Sequence, residues 1–156
     1  MQIRSSVRLV FLLICACYPQ LSHAGWFGWG SDPDVKLVTE CDRLATNPRD
    51  PLRMTEGIDF EKIVPGAALI ACKEAVERNP NTGRFFYMLG RVLEFSGKRG
   101  EAFTHYKKAS ERGHAYSRVA IGYMLVDDHG RDGIEGALQQ YEAAITEGID
   151  RDLVND

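Results

Sequence analysis

The local motifs that announce catalysis are missing from this chain of 156 residues. There is no H-E-x-x-H pair for zinc, no G-x-S-x-G nucleophile turn and no phosphate-cradling glycine loop. No two histidines stand four apart on one helix, so metal ligation has no local support. The acidic stretch Asp127, Asp128 and Asp132 around His129 lacks the spacing and closing Glu of an EF-hand, and reads as a solvated turn. No cofactor and no metal are expected. Positive charge is also short. Lys and Arg number 19 against 22 Asp and Glu, a formal net charge of −3. A chain without a basic stripe offers nothing to nucleic acid. The uncharged apolar run Leu9 to Cys17 is too short to span a bilayer.

What that run does resemble is a secretory signal over residues 1–24. Arg4 and Arg8 give the basic start, and Ser22-His23-Ala24 leaves small residues before Gly25. A retained membrane anchor is one alternative. Lipidation after Ile14-Cys15-Ala16-Cys17 is another, although Cys15 sits where a small residue is preferred. Cleavage after Ala24 removes two basic residues and no acidic one, taking the net charge to −5 over 132 residues. One domain is the natural count at that length. Of four cysteines, Cys41 and Cys72 remain. No C-x-x-C remains for redox work. An exported compartment preserves disulfides, and this bridge would close a loop of about 30 residues, worth ~3–4 kcal/mol in the chain-entropy model. Two buried thiols are the alternative.

The chain repeats itself. Ala102, Tyr106, Ala109 and Gly113 return 35 positions later as Ala137, Tyr141, Ala144 and Gly148, with a fainter copy at Ala68, Cys72 and Ala75. Spacings of four and three put these side chains on one helical face. A period of this size is the mark of a stacked helical unit. The expected class is all-α: three antiparallel helix hairpins in a short right-handed solenoid over residues 35–148.

Punctuation divides that span into helices. The first runs from Val35 to about Thr46, with Val35, Leu37, Val38, Cys41, Leu44 and Ala45 as its apolar stripe, and Asn47-Pro48 ends it. A loop and a short turn at Phe60–Ile63 follow. The second helix opens at Pro65 and runs to about Arg78. Thr82 to Phe95, Glu101 to Arg112, Ala115 to Val126 and Ile134 to Glu147 complete the set. Gly113 and Gly148 supply left-handed caps. A polar loop is expected at 127–133 and a frayed tail at 149–156. Ahead of the helices, residues 25–34 form a Gly/Trp-rich segment. Its Trp26, Phe27 and Trp29 either cover an open end of the stack or seat the protein on a membrane surface.

The run Phe86, Leu89-Gly90, Leu93, Ala102, Tyr106, Ala109 resembles a tetratricopeptide repeat. The longer turn 127–133 and the ending Tyr141-Glu142-Ala143-Ala144 with Gly148 are similar to its Sel-like relatives. Upstream, Cys41-Asp42-Arg43-Leu44-Ala45, Asp50-Pro51, Gly57-Ile58, Phe60 and Ala71-Cys72 are similar to the lead-in of exported alphaproteobacterial Sel-like proteins. The resemblance covers residues 41–148. It implies a non-catalytic adaptor that holds a protein or peptide in a concave groove, in the periplasm or outside the cell.

In such a stack the first helix of each hairpin lines the groove. That rule turns Arg84, Tyr87, Arg91 and Glu94 inward from the third helix, and Tyr116 and Tyr123 from the fifth. Arg and Tyr are favoured at binding hot spots. Arg84 and Arg91, two turns apart, would hold two carboxylates of an extended acidic peptide. Ordinary surface residues are the competing reading. His105 is expected in solvent, His114 in the turn after Gly113, and His129 in the acidic loop. Two other functions stay open: an envelope-associated structural protein held through Trp26, Phe27 and Trp29, and, more remotely, a hydrolase using a histidine or the acidic loop.

Overall fold

The computed structural model describes residues 37–154. The expected signal at 1–24 and the Gly/Trp-rich segment with Trp26, Phe27 and Trp29 lie outside the described residues. Among the described residues every regular element is helical. The α-helices are α1 (Glu40–Ala45), α2 (Pro65–Arg78), α3 (Gly83–Phe95), α4 (Arg99–Ser110), α5 (Tyr116–His129) and α6 (Ile134–Thr146). Single 3-10 turns sit at Phe60–Lys62, Gly130–Gly133 and Arg151–Leu153. Each α-helix packs on the next in sequence, and α1 also reaches α3.

Helix ends follow the residues that punctuate them. Pro65 opens α2 and Arg78 closes it, as expected from the sequence. Three helices end by one closure. The N–H of Lys98 bonds Leu93 O, that of His114 bonds Ala109 O, and that of Ile149 bonds Ala144 O, at 2.9, 3.1 and 3.0 Å. The intervening Gly97, Gly113 and Gly148 have φ of 75°, 77° and 101°. This is a Schellman-type reversal, which only glycine enters without a Cβ penalty.

Three expectations need correction. Helix α1 begins at Glu40, because Thr39 caps it and Asp42 returns the bond to the Thr39 N–H at 2.7 Å. That capping box fixes the start and leaves Leu37 78% exposed, outside any buried stripe. The 127–133 segment is helical, not an open loop: α5 continues to His129 and a 3-10 turn carries the chain into α6. The tail through Val154 is folded back, with Ile149 and Val154 buried.

The repeated small residues are where helices meet. Ala102 and Ala137 are 0% and 1% exposed. A Cβ on Gly90 would stand 2.6 Å from Tyr106 Cε1, and one on Gly122 would strike the Tyr141 ring. The same Gly-against-Tyr contact therefore joins α3 to α4 and α5 to α6. Cys41 and Cys72 form a disulfide between α1 and α2. Both sulfurs are buried, with Met88 Sδ of α3 4.0 Å from Cys41 Sγ.

Candidate binding cleft

Tyr87, Arg91 and Glu94 are spaced by four and three on α3, and Tyr116, Val119, Ala120 and Tyr123 by three, one and three on α5. Each set occupies one helical face. Both faces open on a cleft of about 420 Å³. The far wall is the segment between α1 and α2: Asn47, Pro48 and Arg49 on one side, Asp59, Phe60 and Glu61 on the other. Tyr106 reaches in from α4. The volume lies within the range of ligand-binding clefts.

Five of the six residues expected in the groove thus line one cleft, and Arg84 does not. The Arg84 guanidinium binds Asp42 Oδ1 and Leu37 O, both at 3.2 Å, and covers the Phe85 ring at 4.3 Å. It is spent on fastening the start of α1 to α3. Arg91 lines the cleft, but its guanidinium is already engaged. It is 4% exposed, its Nη1 donates to Ala45 O at 2.7 Å, and its Nη2 donates to Ile58 O at 3.0 Å. Those carbonyls stand at the two ends of the lead-in loop, which the Ile58 N–H to Thr46 O bond of 2.7 Å also joins. The face of α3 that carries Arg91 is not bare. The chain's own lead-in lies across it, so the paired-arginine clamp does not exist.

The tyrosines form the floor. The Tyr87 ring stacks on His114 at 4.7 Å, meets Tyr106 at 5.6 Å and takes Tyr116 edge-on at 5.8 Å. Its hydroxyl accepts from Asn47 Nδ2 at 2.8 Å. Burial pushes the Tyr87 and Tyr106 hydroxyls well above the ordinary tyrosine range and Tyr116 to about 12. All three stay protonated, hence hydrogen-bond donors, at any physiological pH. Tyr106 donates to Glu94 at 2.7 Å. Glu94 also faces Arg99 at 3.5 Å, and Arg99 binds Asp128 at 2.8 Å and Asp127 at 3.6 Å. This arginine ties α4 to the end of α5 and offsets part of the acidic charge at Asp127 and Asp128. Among the described residues no group of three or more His, Cys, Asp or Glu is placed to hold a metal ion. Tyr123 is 41% exposed at the cleft mouth, edge-on to Tyr141.

Below the floor is a polar chain that the sequence did not announce. His114 is buried, with Nδ1 2.8 Å from Ser117 Oγ and Nε2 2.9 Å from Asp50 Oδ2. Asp50 belongs to the lead-in, Ser117 to the first turn of α5. The available signals were a turn at Asp50-Pro51 and a His three residues before a Ser at a helix start, each too common to single out. His105 is also displaced from its expected place in solvent. It is half-buried and stacks on Phe86 at 6.0 Å, and burial lowers its pKa. His129 is exposed, as expected. Asn47, Arg49, Phe60 and Glu61 were missed, because nothing local says that a loop will fold onto a helix face 30 to 40 residues away.

Comparison with protein-family models, with curated proteins and with solved structures finds no match to this chain. Among the described residues no helix is long and apolar enough to cross a membrane.

Proposed function

We propose that this protein is an exported, non-catalytic adaptor of the tetratricopeptide and Sel-like kind. Its hairpins stack as a short right-handed solenoid, and it holds a segment of a partner protein in the cleft between α3, α5 and the lead-in. The observation that carries this reading is the cleft itself, where five residues expected to face the groove converge. Repetition of the Gly–Tyr contact at Gly90–Tyr106 and Gly122–Tyr141 supports a stacked unit. The disulfide is compatible with an oxidising, exported environment. Rigid aromatic rings around a concave site suit capture without turnover, since Tyr supplies contact area at small entropic cost.

The test is a binding screen with a mouth variant. Tyr123 touches the rest of the fold mainly through its ring edge and one long bond of 3.4 Å to Val154 O, so Tyr123→Ala leaves the helices in place. Partners captured through the cleft are expected to be lost with Tyr123→Ala while the circular dichroism spectrum is unchanged. A partner retained at full affinity by Tyr123→Ala binds elsewhere, and the reading fails.

A further inference from the structure

The charges that line the cleft are unevenly paired. Three carboxylates line it, and two are already matched. Asp59 takes Lys62 at 2.7 Å, and Glu94 accepts from Tyr106 and faces Arg99. Only Glu61, at the exposed rim, has no ion pair among the described residues. The two cations that line it form no ion pair among the described residues. Arg91 keeps its charge while donating to the neutral carbonyls of Ala45 and Ile58; it forms no ion pair among the described residues, although the Asp59 carboxylate feels it. Arg49 is exposed, and its side chain has no hydrogen bond or ion pair among them.

The hydroxyls point the same way chemically. Asn47 Oδ1 accepts the Arg49 N–H at 2.9 Å, which fixes the amide so that Nδ2 donates to Tyr87. The Tyr87 hydroxyl, having accepted, keeps its own proton to give. Tyr116 is buried and lines the cleft, and its hydroxyl makes no hydrogen bond within the described residues. Burial holds both hydroxyls protonated, so they can donate and not repel an anion. The free Arg49 guanidinium, the charge of the engaged Arg91 and two phenolic donors, set against one unpaired carboxylate at Glu61, make a receptor for an oxyanion.

From this set we propose that the cleft receives a carboxylate borne by an extended segment of the partner protein, an Asp or Glu side chain seated among Arg49, Arg91, Tyr87 and Tyr116. Tyr123 and Phe60 flank the residues on either side of it. The proposal rests on the cleft reading above and adds the chemistry of the occupant. It also revises the sequence expectation. The anion is single, and Arg49 of the lead-in replaces Arg84 as the second cation.

The experiment selects binders from a random heptapeptide phage library on the oxidised full chain. Enriched sequences are then measured as synthetic peptides by fluorescence anisotropy. The proposal expects an Asp or Glu in the enriched set, and a loss of about tenfold or more in affinity when it becomes Asn or Gln. Arg49→Ala and Tyr116→Phe should each weaken the acidic peptide by about tenfold and leave its Gln counterpart unchanged. Neither variant removes a bond that holds the fold, whereas Arg91→Ala would free the lead-in. Enriched peptides without acidic residues that nonetheless need Tyr123 overturn the proposal and leave the cleft reading standing. Peptides indifferent to Tyr123→Ala, or no enrichment at all, overturn both.

Discussion

Gly90→Ala adds one methyl group where two helices touch, and the structure sets its cost. The new carbon would stand 2.6 and 2.7 Å from Cε1 and Cδ1 of Tyr106, against 3.4–4 Å for an ordinary contact. The Tyr106 ring must retreat, and it has nowhere to go. It is fully buried, the Tyr87 ring lies 5.6 Å away, and its hydroxyl is tied to Glu94 at 2.7 Å. Overpacking of this kind costs about 1–3 kcal/mol, and a displaced, buried hydroxyl adds ~1 kcal/mol. Alanine returns up to ~1 kcal/mol of helix propensity over glycine. The net is a destabilisation of about 1–3 kcal/mol. Two controls isolate the contact. Gly122→Ala crowds Tyr141 in the same way, but that ring is only partly buried and has room to swing, so the loss should fall below ~1 kcal/mol. Gly100→Ala, in the first turn of α4, meets nothing within 4 Å and should be neutral or stabilising by up to ~1 kcal/mol. Urea unfolding followed at 222 nm reads all three. The reasoning is refuted if Gly90→Ala is no less stable than Gly100→Ala, because the small residue would then not be required by helix approach.

The other predictions rest on single contacts. Cys41→Ala with Cys72→Ala opens a crosslink spanning 31 residues, and should cost about 4 kcal/mol in the chain-entropy model. A urea midpoint unmoved by reducing agent would contradict it. Arg91→Met removes the donors that hold Ala45 O and Ile58 O, at about 2–3 kcal/mol. Hydrogen exchange should quicken across residues 46–58 before it quickens in α5 and α6. Acid stability has a contributor in His105, whose pKa lies below the ordinary 6.5, chiefly through burial, with Lys108 and Lys73 lowering it further and Glu101 opposing. The folded state then binds fewer protons than the unfolded chain just below pH 6.5, so stability falls as pH drops from there. His105→Phe should keep the stack on Phe86 and flatten that limb of the pH profile.

How legible all this was depends on sequence distance. Helices α2 to α6 could be found because their signals are local: Pro65 at a start, Gly113 and Gly148 past the ends, apolar residues at spacings of three and four. The small-residue contacts were legible because repetition shows them twice. The start of α1 was misplaced because apolar Val35, Leu37 and Val38 extend the periodicity upstream of the cap at Thr39, and a side chain bonding its own backbone outweighs a weak stripe. The cleft was half legible. Helical geometry put Tyr87, Arg91 and Glu94 on one face of α3 and Tyr116 and Tyr123 on one face of α5, and these five residues line one cleft. It could not foresee that a loop would occupy the same face, since the bonds that dock it link Arg91 to Ile58 and His114 to Asp50, which are 33 and 64 residues apart.

The Asp50–His114–Ser117 chain has the connectivity of a nucleophile relay: a carboxylate on one ring nitrogen and a hydroxyl on the other. Its surroundings argue for a clamp. Ser117 is 0% exposed and Tyr87 stacks over the ring, so no acyl carbon can approach the oxygen. The imidazole bridges Asp50 Oδ2 and Ser117 Oγ, and so fastens the lead-in to the start of α5. A clamp and a relay respond differently to substitution. For a clamp, His114→Ala is the worst variant, because it takes the imidazole from the buried Asp50 carboxylate and leaves it only the Leu52 N–H, a loss of about 2–3 kcal/mol. Ser117→Ala removes one hydroxyl and should cost only ~1 kcal/mol. Labelling by a fluorophosphonate should stay at background in the native chain. For a relay the order reverses in the assay that matters. Ser117 would take the label at native stability, and His114→Ala or Asp50→Asn would abolish it. Label on Ser117 would mean that the lead-in swings clear of the floor, and the same motion would empty the cleft of its outer wall.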